Sequence, residues 1–195
     1  MTLDEQCLDM YRRAHAAFLV GNIQKATSIY AQIRAQHSCE LYYEVDLPTP
    51  MRLSHPVGTV LGRATYAPFL MVHQNCTVGS DLNGNRPVFT GPCCMFAGSM
   101  VIGRVTVGSN VYLAPGAILD GGRNPLKIPS NGIIGRNGAW SPTKRSIVMD
   151  FFTVHSKPDS AETETHQLGS GPLYEIDPKR AGFAPSPDSP AGRFF

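Results

Sequence analysis

The sequence predicts a mainly β protein, wound as a solenoid of parallel strands and preceded by a helical hairpin. Three observations carry this reading. Between Phe89 and Gly122 an apolar residue recurs every six positions: Phe89, Met95, Val101, Val107, Leu113 and Leu119. Four places after each of the first five stands a small or β-branched residue: Cys93, Ser99, Val105, Val111 and Ala117. A lone strand repeats at two and an α-helix near 3.6, so sustained sixes fit neither. A fixed short period with Gly, Asn or Pro at the corners describes stacked coils, one flat face per block of six. The opening residue of each block then points to the axis, and its small partner fits beside it. Composition agrees: charged residues make up only 16%, with 19 Gly and 16 Pro, which suits a turn-rich β protein and not a helical bundle.

In chain order, residues 3 to 37 come first. Leu3, Cys7, Met10, Tyr11, Ala14 and Phe18 recur at three and four, and Ile23, Ala26, Ile29, Tyr30 and Ile33 repeat that spacing after the Gly21-Asn22 break. This predicts an αα-hairpin that caps the first coil or contacts another subunit. Leu41 to Leu47 reads as a strand ended by Pro48 and Pro50. Counting back in sixes from Cys76 gives Leu70, Ala64, Gly58 and Arg52 as openers of an earlier, less apolar run. Cys76 and Phe89 are thirteen residues apart, one more than two blocks, so something between them leaves the coil. The polar, turn-forming stretch Ser80 to Arg86 is the candidate, and solenoids concentrate such insertions on a binding face. Past Gly122 the beat fades into an irregular last coil holding Ile128, Ile133, Ile134 and Trp140. The resulting division is a helical cap over residues 1–40, a β-helix over 41–140, an exit segment over 141–155 and a Pro/Ser-rich tail over 156–195. That tail has too little apolar surface to offset its ordering entropy and reads as largely disordered.

Several function classes are excluded at this level. The net charge is +2 and no basic run interleaves with aromatics, which argues against a nucleic-acid partner. No apolar run reaches membrane-spanning length, and the N-terminus lacks the plan of a secretion signal, so a cytoplasmic protein is expected. The five cysteines match no zinc spacing, and Cys76 and Cys93 read as small inward residues, so no metal is expected.

Two motifs carry chemistry. Ser54-His55-Pro56-Val57-Gly58-Thr59-Val60-Leu61-Gly62 is followed by Gln74-Asn75-Cys76-Thr77-Val78-Gly79, and the loop after it ends in Arg86-Pro87. These residues resemble the hexapeptide-repeat acyltransferases, and within them the serine acetyltransferase branch. That branch carries an Asp-His pair, Gly three and seven residues beyond the His, then Gln-Asn-x-Thr-aliphatic-Gly and a loop ending in Arg-His-Pro. The resemblance covers residues 41 to 122 and implies a left-handed parallel β-helix. Physics alone would give the other hand, since parallel crossovers are right-handed in about 98% of cases.

The resemblance further implies acetyl-CoA as co-substrate, direct transfer to L-serine or a related small hydroxyl or amino acceptor, a place in cysteine biosynthesis, and a homotrimer whose pantetheine groove runs between subunits. Histidine titrates near the working pH and can take the acceptor's proton as it attacks, which makes His55 the general base. Asp46 would orient it. Arg86, by a bidentate fork, and Gln74 would bind the acceptor, and Gly79 and Ala97 would line the pantetheine groove. His73, beside Gln74, is a candidate second histidine. Three departures stand out. Ser54 replaces the family's Asp, no second His follows Arg86, and Asp46 lies one block closer to His55. They leave open two other readings: the same chemistry on a sugar or glycan, or an inactive hexapeptide subunit serving as a scaffold.

Overall fold

The computed structural model describes residues 1–153; the tail expected from residue 156 lies outside the described residues. The predicted hairpin is present as α1 (Leu3–Leu19) and α2 (Ile23–His37). Thr2 and Glu5 form a reciprocal capping box at the start of α1, satisfying two otherwise orphan backbone donors. Gly21, at φ +79°, breaks the chain between the helices, and Asn22 caps α2 by accepting from the Lys25 N–H. The buried stripe of α1 (Cys7, Met10, Tyr11, Ala14, Ala17) and that of α2 (Ala26, Ile29, Ile33) share one core cluster with the solenoid.

The solenoid has three faces. The first stacks Glu40–Leu41, Val60–Leu61, Thr77–Gly79, Met100–Ile102 and Ile118–Asp120 in parallel. The second stacks Met51–Leu53, Leu70–Val72, Cys93–Met95, Val111–Leu113 and Gly132–Ile134 in parallel, and antiparallel Trp140–Pro142 closes it. The third holds Val88–Phe89, Val105–Val107 and Leu126–Ile128. Each coil runs from the second face to the first and then to the third.

The six-residue pattern maps onto inward columns. Leu41, Leu61, Val78, Val101 and Leu119 stack along the first face; Leu53, Val72, Met95, Leu113 and Ile134 along the second; Phe89, Val107 and Ile128 along the third. All are buried, and all six predicted openers are among them. A column of small residues (Cys39, Thr59, Cys76, Ser99, Ala117) precedes the first face, each but Cys39 giving its carbonyl to the rung below.

The earlier half requires correction. The inward residues there are Leu53, Leu61, Val72 and Val78, and Arg52, Gly58 and Ala64 open no block. Cys76 belongs to the small-residue column, not to the openers. Strict counting failed because corner lengths vary. The insertion is also longer than the count suggested. Thr77 to Met100 spans 23 residues where the regular coil from Met100 to Ile118 spans 18, so five residues leave the coil, not one. Leu41 to Leu47 is not one strand either: only Glu40–Leu41 pairs, and Tyr42 and Tyr43 turn away to pack on Tyr30 and Phe18. After the last strand the chain forms α3 (Ile147–Thr153), whose Phe152 ring meets Phe69 edge-on at 5.3 Å on the outside of the second face.

The columns set a stability expectation. Leu113→Ala removes a fully buried rung and is expected to cost about 3 kcal/mol in urea denaturation. Ile118→Ala, in the adjacent strand but 56% exposed, is expected to change stability by about 0.5 kcal/mol or less.

Candidate functional site

His55 sits in the corner between the second and first faces of the first coil. Later corners run from Val72 to Thr77, Met95 to Met100 and Leu113 to Ile118, whereas this one runs from Leu53 to Val60 and is two residues longer. The extra length puts His55 outside the coil, exposed, with φ at +49°. Its backbone N–H donates to the Asp4 carboxylate at 3.0 Å, which ties the corner to the first turn of α1. The Gly58 N–H donates to the Ser38 carbonyl at the end of α2, and the Asn75 N–H donates to the Val57 carbonyl from the next coil. The Thr59 hydroxyl donates to the His73 carbonyl at 2.7 Å. Glycine suits position 58: its φ is +72°, and an added Cβ would lie 2.2 Å from Asn75 Oδ1 and force that side chain to shift. Ser54, standing where the family motif has Asp, is buried.

His73 lies one coil further on and is fully buried, its ring centroid 4.1 Å from that of Phe96. Among the described residues neither ring nitrogen has a hydrogen-bond partner, and the same is true of Gln74 Oε1 and the Tyr112 hydroxyl. Burial first, and the proximity of His55 second, push the His73 pKa down to about 4, with Asp4 opposing. His55, His73 and Asp4 therefore share one electrostatic neighbourhood.

Asp46 and Arg86 occur elsewhere. They line a cavity of about 350 Å³ between the turn after the first strand and the five-residue insertion, together with Glu44, Arg63 and Thr65. Arg63 and Glu44 form an ion pair across it. The insertion is shaped by Asp81, whose carboxylate accepts from the Asn83 and Asn85 N–H groups and the Asn85 amide. The Asn85 hydrogen bond lowers the Asp81 pKa from its ordinary value. Asp46 lies 3.9 Å from His15 Nε2, and the His15 ring is held by the Tyr43 carbonyl at Nδ1.

Helix α1 spans both places. Asp4 touches the His55 corner, while Tyr11, Arg12 and His15 bind the carbonyls of Val45, Leu47, Pro48 and Tyr43 that carry Asp46. At 1.5 Å per residue, Asp4 and His15 are about 16 Å apart along the helix axis. Within one chain the structure groups Asp46 with Arg86, places Gln74 one coil from His55, and keeps the two groups apart. Gly79 and Ala97 fall at opposite edges of the first face in neighbouring coils. Among the described residues an added Cβ at Gly79 would meet only Ile102 Cδ1, at an ordinary 3.6 Å, so no close approach among them demands glycine there.

No family model matches the chain. A Schizosaccharomyces pombe protein named "Putative serine acetyltransferase" is 27% identical over 116 residues, covering 57% of this chain and 43% of that protein. A solved serine acetyltransferase in complex with cysteine superposes with a TM-score of 0.66 at 16% identity, over 77% of this chain and 60% of its own. The fold is that of the serine acetyltransferases. A third likeness is serine acetyltransferase from Brucella abortus strain S19 in complex with coenzyme A, with a TM-score of 0.61 at 15% identity, over 71% of this chain and 55% of its own. Superposition preserves hand, so the coil turns as theirs do, left-handed as the family resemblance implies. The chain spans less than two thirds of the length of each of these serine acetyltransferase relatives.

Sequence reasoning missed Asp4, Arg63 and His15. Asp4 looks like an ordinary acidic first-turn residue favoured by the helix dipole, and nothing local signals its contact 51 residues away.

The buried His73 generates a pH prediction. Unfolded, it returns to its ordinary value of 6.5, so the unfolded chain binds more protons between about pH 6.5 and 4. The stability contributed by the neutral ring is complete above pH 6.5 and is lost as pH falls through that window. Between pH 7 and pH 4, the wild type is expected to lose on the order of 3 kcal/mol more than His73→Leu, measured by urea melts at both pH values.

Proposed function

We propose that the protein is an acetyl-CoA-dependent acetyltransferase that acts on L-serine or a related small amino acid. The observation that carries this is His55, held outside the coil by an elongated corner on a serine acetyltransferase fold. Sequence likeness to a protein named as a serine acetyltransferase, and the coenzyme A and cysteine complexes of the structural relatives, support this co-substrate and acceptor class. His55 takes the proton of the attacking hydroxyl and returns it to the departing thiolate. No covalent enzyme intermediate is needed when acceptor and thioester are held together.

The charged cavity suits the acceptor. Arg86 offers a guanidinium fork to an α-carboxylate, and Asp46 and Glu44 offer charge to an α-ammonium. This cavity is about 16 Å along α1 from the His55 corner, too far for one small acceptor to touch both in one chain. A cyclic homotrimer, in which one copy's corner meets the next copy's cavity, reconciles the two. Gln74, next to the corner, would contact the acceptor, and the open backbone at Gly79 leaves room for a pantetheine arm. A specific observation favours a second reading, an inactive scaffold: the Asp46 carboxylate pairs with His15, and the motif's Asp is a buried Ser54.

Thiol release from acetyl-CoA with a panel of acceptors separates these. Release with L-serine is expected, falling at least ~100-fold in kcat in His55→Ala. Arg86→Gln is expected to raise the acceptor KM about tenfold or more. Co-expression of the two variants is expected to restore part of the activity, because mixed trimers contain intact interfaces. Release with sugars alone would move the acceptor class. No release with any acceptor, together with no rise in melting temperature with acetyl-CoA, would establish the scaffold reading.

A further inference from the structure

The Cys7 and Cys39 sulfurs lie 3.4 Å apart, buried, where α1 meets the first rung of the solenoid. The small-residue column of the solenoid explains why position 39 is small, since Thr59, Cys76, Ser99 and Ala117 continue it. It does not explain a second thiol brought by α1 into contact with the first at the end of that column. The two cysteines also differ in surroundings. Cys39 lines a cavity of about 280 Å³ with Arg34, Ser38, Glu40, Gly58 and Thr59, and Cys7 is enclosed behind it.

We propose that Cys7 and Cys39 are a peroxide-reactive dithiol that closes to a disulfide and locks the helical cap onto the first coil. Hydrogen peroxide is small enough for the cavity. The Cys39 thiolate attacks one peroxide oxygen, the O–O bond breaks, and the departing hydroxide takes a proton to leave as water. Cys39 is then a sulfenic acid. Cys7 attacks that sulfur, the S–S bond forms, and the sulfenic oxygen leaves as water with the Cys7 proton. Two thiols and one peroxide give one disulfide and two waters. The cavity sets the order: Cys39 lines it, whereas Cys7 is enclosed, and a hydrogen bond given by the Cys7 thiol would favour the Cys39 thiolate, lowering its pKa. Arg34, 3.8 Å from Glu40, adds a guanidinium to the cavity wall.

The lock acts beside the His55 corner. Cys7 is one turn beyond Asp4, which holds the His55 N–H, and Ser38, next to Cys39, accepts from Gly58 in the same corner. The other three cysteines are also buried, and among the described residues no hydrogen bond joins two of their sulfurs; the Cys76 sulfur instead meets the Gln74, Met95 and Phe96 carbonyls and the Ser99 hydroxyl.

The test uses the full reduced chain, one equivalent of hydrogen peroxide, alkylation of the remaining thiols, and tryptic mass mapping. Cys7 falls in residues 1–12, Cys39 in 35–52, and the other three together in 64–104, because Pro87 blocks cleavage after Arg86. The expected product joins 1–12 to 35–52 with the loss of two hydrogens. The melting temperature is expected to rise by about 5 °C and to fall back with dithiothreitol. In Cys7→Ala the sulfenic acid is expected to persist at Cys39, where dimedone traps it. Absence of the linked peptide, or oxidation of residues 64–104 ahead of it, overturns the proposal. So does dimedone labelling of Cys7 in a Cys39→Ala chain at the rate seen for Cys39.

Discussion

The interior of the solenoid is the constraint from which the rest follows. Three parallel ladders bring like positions of successive coils into register, and each inward residue rests on the one below. Leu53, Val72, Met95, Leu113 and Ile134 form one such column, and a residue shifted by one place would turn outward. The chain therefore cannot absorb extra residues inside a strand. It absorbs them at corners, where they go outward. Two extra residues at the first corner expose His55, and five after Thr77–Gly79 build the Asp81 loop that delivers Arg86. The candidate chemistry sits at these departures because they are the places where the interior does not dictate the side chain.

The predicted element types and the later coils were legible because they are local. The six openers from Phe89 to Leu119 announce the coil by chemistry alone, and the three-and-four apolar spacing on either side of the Gly21-Asn22 break announces the hairpin. The first coils were harder. Their corners differ in length, so counting in sixes drifted off Leu53 and Leu61 onto Arg52 and Gly58. Tyr42 and Tyr43 looked like strand residues, yet aromatic contacts with Tyr30 and Phe18 outweigh pairing there.

The site was legible only in part, for a physical reason. His55, Gly58 and Gly62 keep the spacing of a motif, so the corner could be read. The groups that surround it come from distant segments: Asp4 from α1, Ser38 from α2, His73 from the next coil. Such proximity leaves no periodic trace. Glu44 and Arg63 are ordinary charges in sequence and become cavity walls only when the first two coils stack. The unpartnered nitrogens of His73 are likewise invisible until Phe96 is placed against the ring.

Helix α1 does more than cover the end of the solenoid. A cap needs only an apolar stripe, which Cys7, Met10, Tyr11, Ala14 and Ala17 provide. This helix also aims polar groups at backbone on both sides of that stripe. Asp4 fixes the His55 corner, while Tyr11 both donates to the Val45 carbonyl and accepts from the Leu47 N–H. Buried hydrogen bonds to backbone are expensive to leave unmade, so any tilt of α1 disturbs both regions together. A rigid helix holds its two ends at constant separation, which keeps the His55 corner and the charged cavity apart within a chain. In the proposed trimer the same rigidity would present them at a fixed spacing to neighbouring copies. Joining the Cys7 and Cys39 sulfurs would add a covalent tie between that helix and the first rung to the hydrogen bonds that already hold it.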